Sequence, residues 1–244
     1  MAPARKKRKT TPDREAATCI GSRRAAELIR DRSKPLIVLT VDASGGGNCS
    51  GIAAILRKIS PDRASDNAKV VLGRLPWDES SAAESGAIAS GLEALLEETN
   101  LEEYRLLVLS DCHSALDLFC PEKRSSLRDG LVDAPKWIDA LARVCRRVGD
   151  GVVLSKIRSV HTNTSGFFDH EAADMLSAKA RDPETLETHS AGWIEGVPPL
   201  DRTSIEWLKT SDEPRKKKTG GSGPRKKRCE VRIRNELKLE WFSL

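Results

Sequence analysis

The chain has 244 residues, with 41 Lys and Arg against 36 Asp and Glu, a formal charge of +5 and a pI near 8.9. No run approaches the ~18 apolar residues needed to span a membrane, so a soluble protein is expected, and the length suits one domain with an adequate core. Cys19, Cys49, Cys112, Cys120, Cys145 and Cys229 include no Cys-x-x-Cys pair, which argues against a zinc ribbon or disulfide frame and for reduced intracellular thiols.

Residues 1–33 carry the cluster Arg5-Lys-Lys-Arg-Lys9 and read as a basic, flexible tail. The run Leu36-Ile-Val-Leu-Thr-Val41 is too short for a helix and rich in β-branched residues, so it predicts a buried strand that ends at Asp42. Gly51 to Lys58 and Lys69 to Leu75 predict two more strands joined by turns. Ser80 to Glu98 predicts a helix, because Ile88, Leu92, Leu95 and Leu96 recur at helical spacing. Arg105 to Ser110 predicts a fourth strand, followed directly by Asp111, and Ser114 to Phe119 a short helix. In Pro135 to Arg147, Trp137, Ile138, Leu141, Val144 and Cys145 mark another amphipathic helix. Val152 to Val160 predicts the fifth strand and Asp169 to Lys179 the last helix. The expected fold is α/β: a five-stranded mixed sheet flanked by helices, in the order βββαβαβα.

Four carboxylates stand where this layout aims them inward. Asp42 and Asp111 end strands; Glu84 lies one turn before Ile88 on the core-facing side of its helix. Asp174 sits among Ala172, Ala173, Met175, Leu176 and Ala178, where a charge is costly to bury without a partner such as a cation. Strand-end aspartates often cap turns and helical carboxylates often face water, so no single one is diagnostic. Their joint order, strand, helix, strand, helix, is what reads as a metal site.

In that order the chain resembles type 1 ribonuclease H domains, over roughly residues 35 to 182. Val41-Asp-Ala-Ser-Gly-Gly-Gly-Asn-Cys-Ser-Gly-Ile-Ala-Ala-Ile55 resembles the family's opening hairpin. Ala82-Ala-Glu-Ser-Gly-Ala-Ile-Ala-Ser-Gly-Leu-Glu-Ala-Leu95 resembles its first helix, and Ser110-Asp-Cys-His-Ser-Ala-Leu116 its Thr-Asp-Ser segment. The stretch from Val160-His-Thr-Asn-Thr-Ser-Gly166 to Asp169-His-Glu-Ala-Ala-Asp174 resembles the closing His-loop and last helix.

The resemblance implies a ribonuclease H-like fold and a metal-dependent endonuclease that hydrolyses the RNA strand of RNA–DNA hybrids by a two-metal-ion mechanism. Two Mg²⁺ ions, or Mn²⁺ in their place, would be held by Asp42, Glu84, Asp111 and Asp174, with Asp42 bridging. It implies that His161 assists proton transfer or product release, and that Ser44, Asn48 and Ser81 bind substrate. His170, where the family often has Asn, reads as a helix-start residue with Asp169 as cap. Ala43 in place of the usual Gly, and Ser80 and Ser81 where relatives carry Asn, point to a diverged or retroelement-like member. Together with the basic tails they support the alternative, a catalytically weak or inactive nuclear nucleic-acid-binding or adaptor module.

Charge is divided along the chain. Residues 34–212 hold 20 Lys and Arg against 28 Asp and Glu, so the net positive charge comes wholly from the flanks. Within that acidic stretch, residues 122–158 have 9 basic against 5 acidic residues, either a backbone-binding patch or a solvated helix face. Arg215-Lys-Lys-Lys218 and Arg225-Lys-Lys-Arg228, separated by a Gly-rich spacer, read like the first cluster as arms for nucleic acid or signals for an import receptor. The expected organisation is thus a tail (1–33), the ribonuclease H-like domain (34–182), an extension (183–212) and a basic flexible tail (213–244). The expected location is the nucleus, with mitochondrion or cytoplasm as alternatives.

Overall fold

A computed structural model of the protein describes residues 17–59, 68–77, 79–120, 133–159, 167–189, 191–195, 197–198, 200–209 and 232–234. In chain order the elements are β1 (Thr18–Ile20), α1 (Ser22–Arg30), β2 (Leu36–Gly46), β3 (Cys49–Ile59), β4 (Ala68–Leu75) and α2 (Ser80–Leu96). There follow a 3₁₀ turn (Leu101–Glu103), β5 (Arg105–Ser110), α3 (His113–Phe119), α4 (Ala134–Arg147), β6 (Val152–Lys156), α5 (Phe168–Lys179), α6 (Pro183–His189), β7 (Ala191–Glu195), α7 (Arg202–Lys209) and β8 (Arg232–Arg234).

All strands join one mixed sheet in the order β1-β6-β5-β2-β3-β4-β7-β8. β1, β6, β5 and β2 run parallel to one another, and β2, β3, β4, β7 and β8 alternate in direction. The expected order βββαβαβα occupies residues 36–179, and with it the ribonuclease H-like fold. The expected five strands are the central five, β6-β5-β2-β3-β4; the sheet has eight among the described residues.

The added strands correct the expected boundaries. Residues 17–33, read as tail, contribute β1, which pairs with β6, and α1, which buries Ala25, Ala26 and Ile29. Alternation of Arg23-Arg24 with that apolar face disguised a packed helix as a basic tail. The 183–212 segment is no appendage either, since β7 extends the sheet beside β4 and α7 packs against α1. Arg232–Arg234 falls within the expected tail, in a stretch whose alternating apolar and charged residues suit a strand, and it pairs with β7. The three basic clusters at 5–9, 215–218 and 225–228 lie outside the described residues.

Helices cover both faces because the central strands are apolar on both. Ile37, Leu39 and Val41 of β2 pack with Ile88, Leu92 and Leu95 of α2 and with Trp137, Leu141 and Val144 of α4. Leu36 and Val38 face α1 and α7, and Ala53 and Ile55 of β3 face Ala172, Ala173 and Leu176 of α5. Each fully buried leucine or isoleucine contributes about 1.5–3 kcal/mol of transfer free energy. Successive residues point to opposite faces, so Asp42 follows Leu36, Val38 and Thr40 onto the α5 side.

Two glycines set the approach of elements to the site. Gly47, at φ +69°, opens the turn between β2 and β3 in the left-handed region that favours glycine. Gly51 lets α5 lie directly on β3, where a Cβ would come within 2.1 Å of the Ser177 carbonyl oxygen. Among the described residues, no helix is long and apolar enough to cross a membrane, and no disulfide joins Cys19, Cys49, Cys112, Cys120 and Cys145.

Candidate metal centre

Four elements converge at the end of the parallel strand pair β2–β5. The last registered pair there is Thr40 with Leu109, and two residues beyond it stand Asp42, still on β2, and Asp111, just past the end of β5. Asp42 is buried at 4% exposure and Asp111 is half-buried. The first turns of α2 bring Glu84, also 4% exposed, against the end of β2. Its Oε1 accepts from the Ala43 backbone N–H at 3.1 Å and its Oε2 from the Ser110 hydroxyl at 3.1 Å. α5 supplies His170, Asp174 and Ser177, whose spacing of four and three puts them on one helix face. The Ser177 hydroxyl donates to Asp42 Oδ2 at 2.8 Å, and His170 Nε2 lies 3.8 Å from Asp111 Oδ2.

The carboxylates act on one another electrostatically. Burial pushes Asp42 up to about 9, helped by the charges of Glu84, Asp111 and Asp174 and opposed by the Ser177 hydrogen bond. Burial likewise pushes Glu84 up to about 8, with Asp111 adding to the rise and the Ala43 and Ser110 hydrogen bonds opposing it. Without a cation, such a cluster takes up protons to relieve repulsion. A divalent ion relieves it instead, and oxygen donors on separate rigid elements fit a hard cation. Asp42, Asp111 and His170 each offer a donor atom, all within 4.8 Å of one another.

The sequence-based candidates divide as follows. Asp42, Glu84, Asp111 and Asp174 come together. His161 lies outside the described residues. Ser44 is half-buried on β2, just past Asp42, and Asn48 is exposed in the β2–β3 turn. Four residue rises of ~3.4 Å separate Asp42 from Gly46, so Asn48 lies at least roughly 14 Å along the hairpin from the carboxylates. Ser81, half-buried in the first turn of α2, donates to Glu79 Oε1 at 3.3 Å.

Asp169 differs from expectation. The residue preceding α5 is Phe167, so Asp169 lies inside the helix and does not cap it. It is fully buried and bound by Arg57 of β3, whose Nε reaches Oδ2 at 2.8 Å and whose Nη2 reaches Oδ1, while Nη1 donates to Pro198 O at 2.8 Å. His170 is a helix-start residue as expected, the third of α5, and it is wholly buried, with Nε2 3.8 Å from Asp111 Oδ2. The four-residue step from His170 to Asp174 was a usable signal, since it puts both on one helix face. Ser110 and Ser177 carried none, because a buried hydroxyl looks in sequence like any small polar residue.

Lys136, Arg143 and Arg147, three of the nine basic residues in 122–158, make contacts within the protein. Arg143 pairs with Glu93 and Asp139, Arg147 donates to the Leu96 and Glu98 carbonyls, and Lys136 lies 3.6 Å from Asp133. Lys156 is exposed at the end of β6.

No protein-family model matches the chain, and no curated protein matches it. Similar solved structures include LC9 RNase H1, described as a type 1 RNase H with the type 2 active-site motif. It is 17% identical with a TM-score of 0.48, over 62% of this chain and 74% of that one. RNase H1 from the halophilic archaeon Halobacterium salinarum is 15% identical with a TM-score of 0.42, over 59% of this chain and 96% of that one. The protease–reverse transcriptase of Prototype Foamy Virus is 13% identical with a TM-score of 0.46, over 62% of this chain and 21% of that one. The ribonuclease H-like character of the fold is carried by the strand order and directions themselves.

Proposed function

We propose that this protein is a metal-dependent endonuclease that hydrolyses the RNA strand of RNA–DNA hybrids. The observation that supports this most directly is the convergence of Asp42, Glu84, Asp111 and Asp174 on one site, with Asp42 and Glu84 held well above the usual carboxylate range. Asp42, Asp111 and Asp174 lie on the α5 side, and Glu84 closes the site from α2. The Ser177 hydroxyl fixes Asp42, and the Ser110 hydroxyl and Ala43 N–H fix Glu84, so both carboxylates are oriented before any ion arrives. Two divalent ions, Mg²⁺ or Mn²⁺, would supply an activated water and stabilise the leaving oxygen of an in-line displacement.

The cation is also what makes a phosphate substrate acceptable here. The stretch carrying the site is acidic overall, so a polyanion approaches it only when the carboxylates are neutralised. His161, Ser44, Asn48 and Ser81 belong to the same reading as groups that assist proton transfer or touch substrate, and the basic clusters as arms on nucleic acid or signals for nuclear import. The test is cleavage of one sequence presented as RNA–DNA hybrid, duplex RNA and duplex DNA, each in Mg²⁺, Mn²⁺ or chelator. Metal-dependent cutting of the RNA strand in the hybrid alone is expected; cutting of duplex DNA, or none with either ion, would overturn the proposal.

A further inference from the structure

The carboxylates of the site are joined by a nitrogen. His170 is fully buried, its Nε2 is 3.8 Å from Asp111 Oδ2, and a donor atom on His170, Asp42 and Asp111 can be chosen so that all three lie within 4.8 Å of one another. Metal–nitrogen and metal–carboxylate bonds are each about 2.0–2.2 Å long. Two donors 3.8 Å apart therefore reach one ion placed between them.

The ring is also held there from behind. Trp207 of α7 meets the imidazole edge-on, with centroids 6.4 Å apart and planes at 73°. Phe167, three residues before His170, stacks on the same indole at 6.1 Å and 10°. The buried Arg57–Asp169 pair fixes the preceding residue of α5 and is itself anchored to Pro198 O. Segments beyond the five-stranded core thus brace the one helical turn that presents His170. A surface histidine would need none of this support.

From this geometry we infer that His170 is a nitrogen ligand to the cation held by Asp42 and Asp111, and that it biases the site toward a divalent transition ion over Mg²⁺. The inference rests on the carboxylate site proposed above. Mg²⁺ takes oxygen ligands and gives up its waters reluctantly, whereas imidazole suits transition ions and carboxylate suits Mn²⁺ as well as Mg²⁺. A mixed Asp, Asp, His donor set therefore favours the ion that accepts both. Asn or Gln in place of His170 would leave an oxygen-only site.

The test uses the full chain and Mn²⁺ as the probe, read by pulsed electron paramagnetic resonance and by titration with Mn²⁺ and Mg²⁺ separately. Expected is nitrogen modulation from a bound imidazole, lost in His170→Asn and kept in His161→Asn. In His170→Asn the Mn²⁺ dissociation constant should rise about tenfold or more, while that for Mg²⁺ stays within about twofold. Tight Mn²⁺ binding without nitrogen modulation, or modulation that survives His170→Asn, would overturn the inference. Should His170→Asn fail to fold, a variant with His113, His161 and His189 replaced by Asn keeps His170 as the sole histidine; modulation there supports it and its absence overturns it. Asp42→Asn separates the two readings. If it abolishes Mn²⁺ binding while nitrogen modulation is absent from the wild type, the carboxylate site stands and only the His170 role falls. If Mn²⁺ binding survives Asp42→Asn, the carboxylate site falls, and with it this inference.

Discussion

Asp42 and Asp111 each stand two residues beyond Thr40 and Leu109, the last registered pair of two neighbouring parallel strands, so the sheet itself sets their separation. Their donor atoms lie within 4.8 Å of one another, with His170 beside them. That relationship makes the site sensitive to protons, to cations and to the helix lying over it.

Without metal, stability should fall as pH rises. Asp42 and Glu84 have folded pKa values raised to about 9 and about 8, above the unfolded range near 4, so between those limits the native state holds more protons than the unfolded chain. The stability they contribute is complete below about pH 4 and is lost as pH rises through their folded values. Urea midpoints in chelator should decline from this source between pH 5 and 9, and Asp42→Asn should flatten the decline. Added Mn²⁺ should raise the melting temperature more at pH 8 than at pH 6, because ligation displaces protons.

Breaking the buried pair beneath the site should be costly. Arg57 and Asp169 are 1% and 0% exposed, so Arg57→Met or Asp169→Leu alone leaves a buried charge unpaired and should destabilise by about 3–5 kcal/mol. The double substitution removes both charges and should recover most of the loss. Denaturant unfolding of the three variants measures the coupling directly, and additive losses would show that the two residues act independently.

Close contact between β3 and α5 gives a more local prediction. Gly51→Ala places a methyl group within 2.1 Å of the Ser177 carbonyl oxygen, so α5 must move away from β3. The expected cost is about 1–3 kcal/mol, as for other overpacked sites. Displacement of Ser177 from Asp42 should lower hybrid cleavage more than Ser44→Ala does, with the far-ultraviolet circular dichroism unchanged. Equal activity in Gly51→Ala and wild type would show that this contact does not position the site.

What could be read from the sequence was what depends on local pattern. β2 announces itself as a β-branched apolar run and β5 as a short leucine-rich one, α2 and α4 by helical spacing, and so the carboxylates on or beside them could be named. Edge elements could not be recognised this way. β1 has three residues, too few for any period, and exists because β6 offers a free edge. α1 carries three arginines beside its apolar face and α7 owes its place to α1, so neither has meaning until the sheet face exists. The place of His170 beside Asp111 was hidden for the same reason. Its partner Asp111 lies 59 positions away, and only the sheet order β5-β2-β3 under α5 brings them together. Arg57, in an otherwise largely apolar strand, gives no sign in the sequence of the matching carboxylate that α5 lays over it.

The most direct measurement is single-turnover cleavage of an RNA-labelled RNA–DNA hybrid by wild type, Asp42→Asn and Asp111→Asn, side by side at pH 8 in Mg²⁺ and in Mn²⁺. Expected is metal-dependent cutting of the RNA strand by wild type and a loss of at least about a hundredfold in each variant, the scale at which removing preorganised electrostatic support acts. Wild-type cutting that persists in either folded variant, or a wild type that binds the ion and the hybrid yet leaves the RNA strand intact, would contradict it.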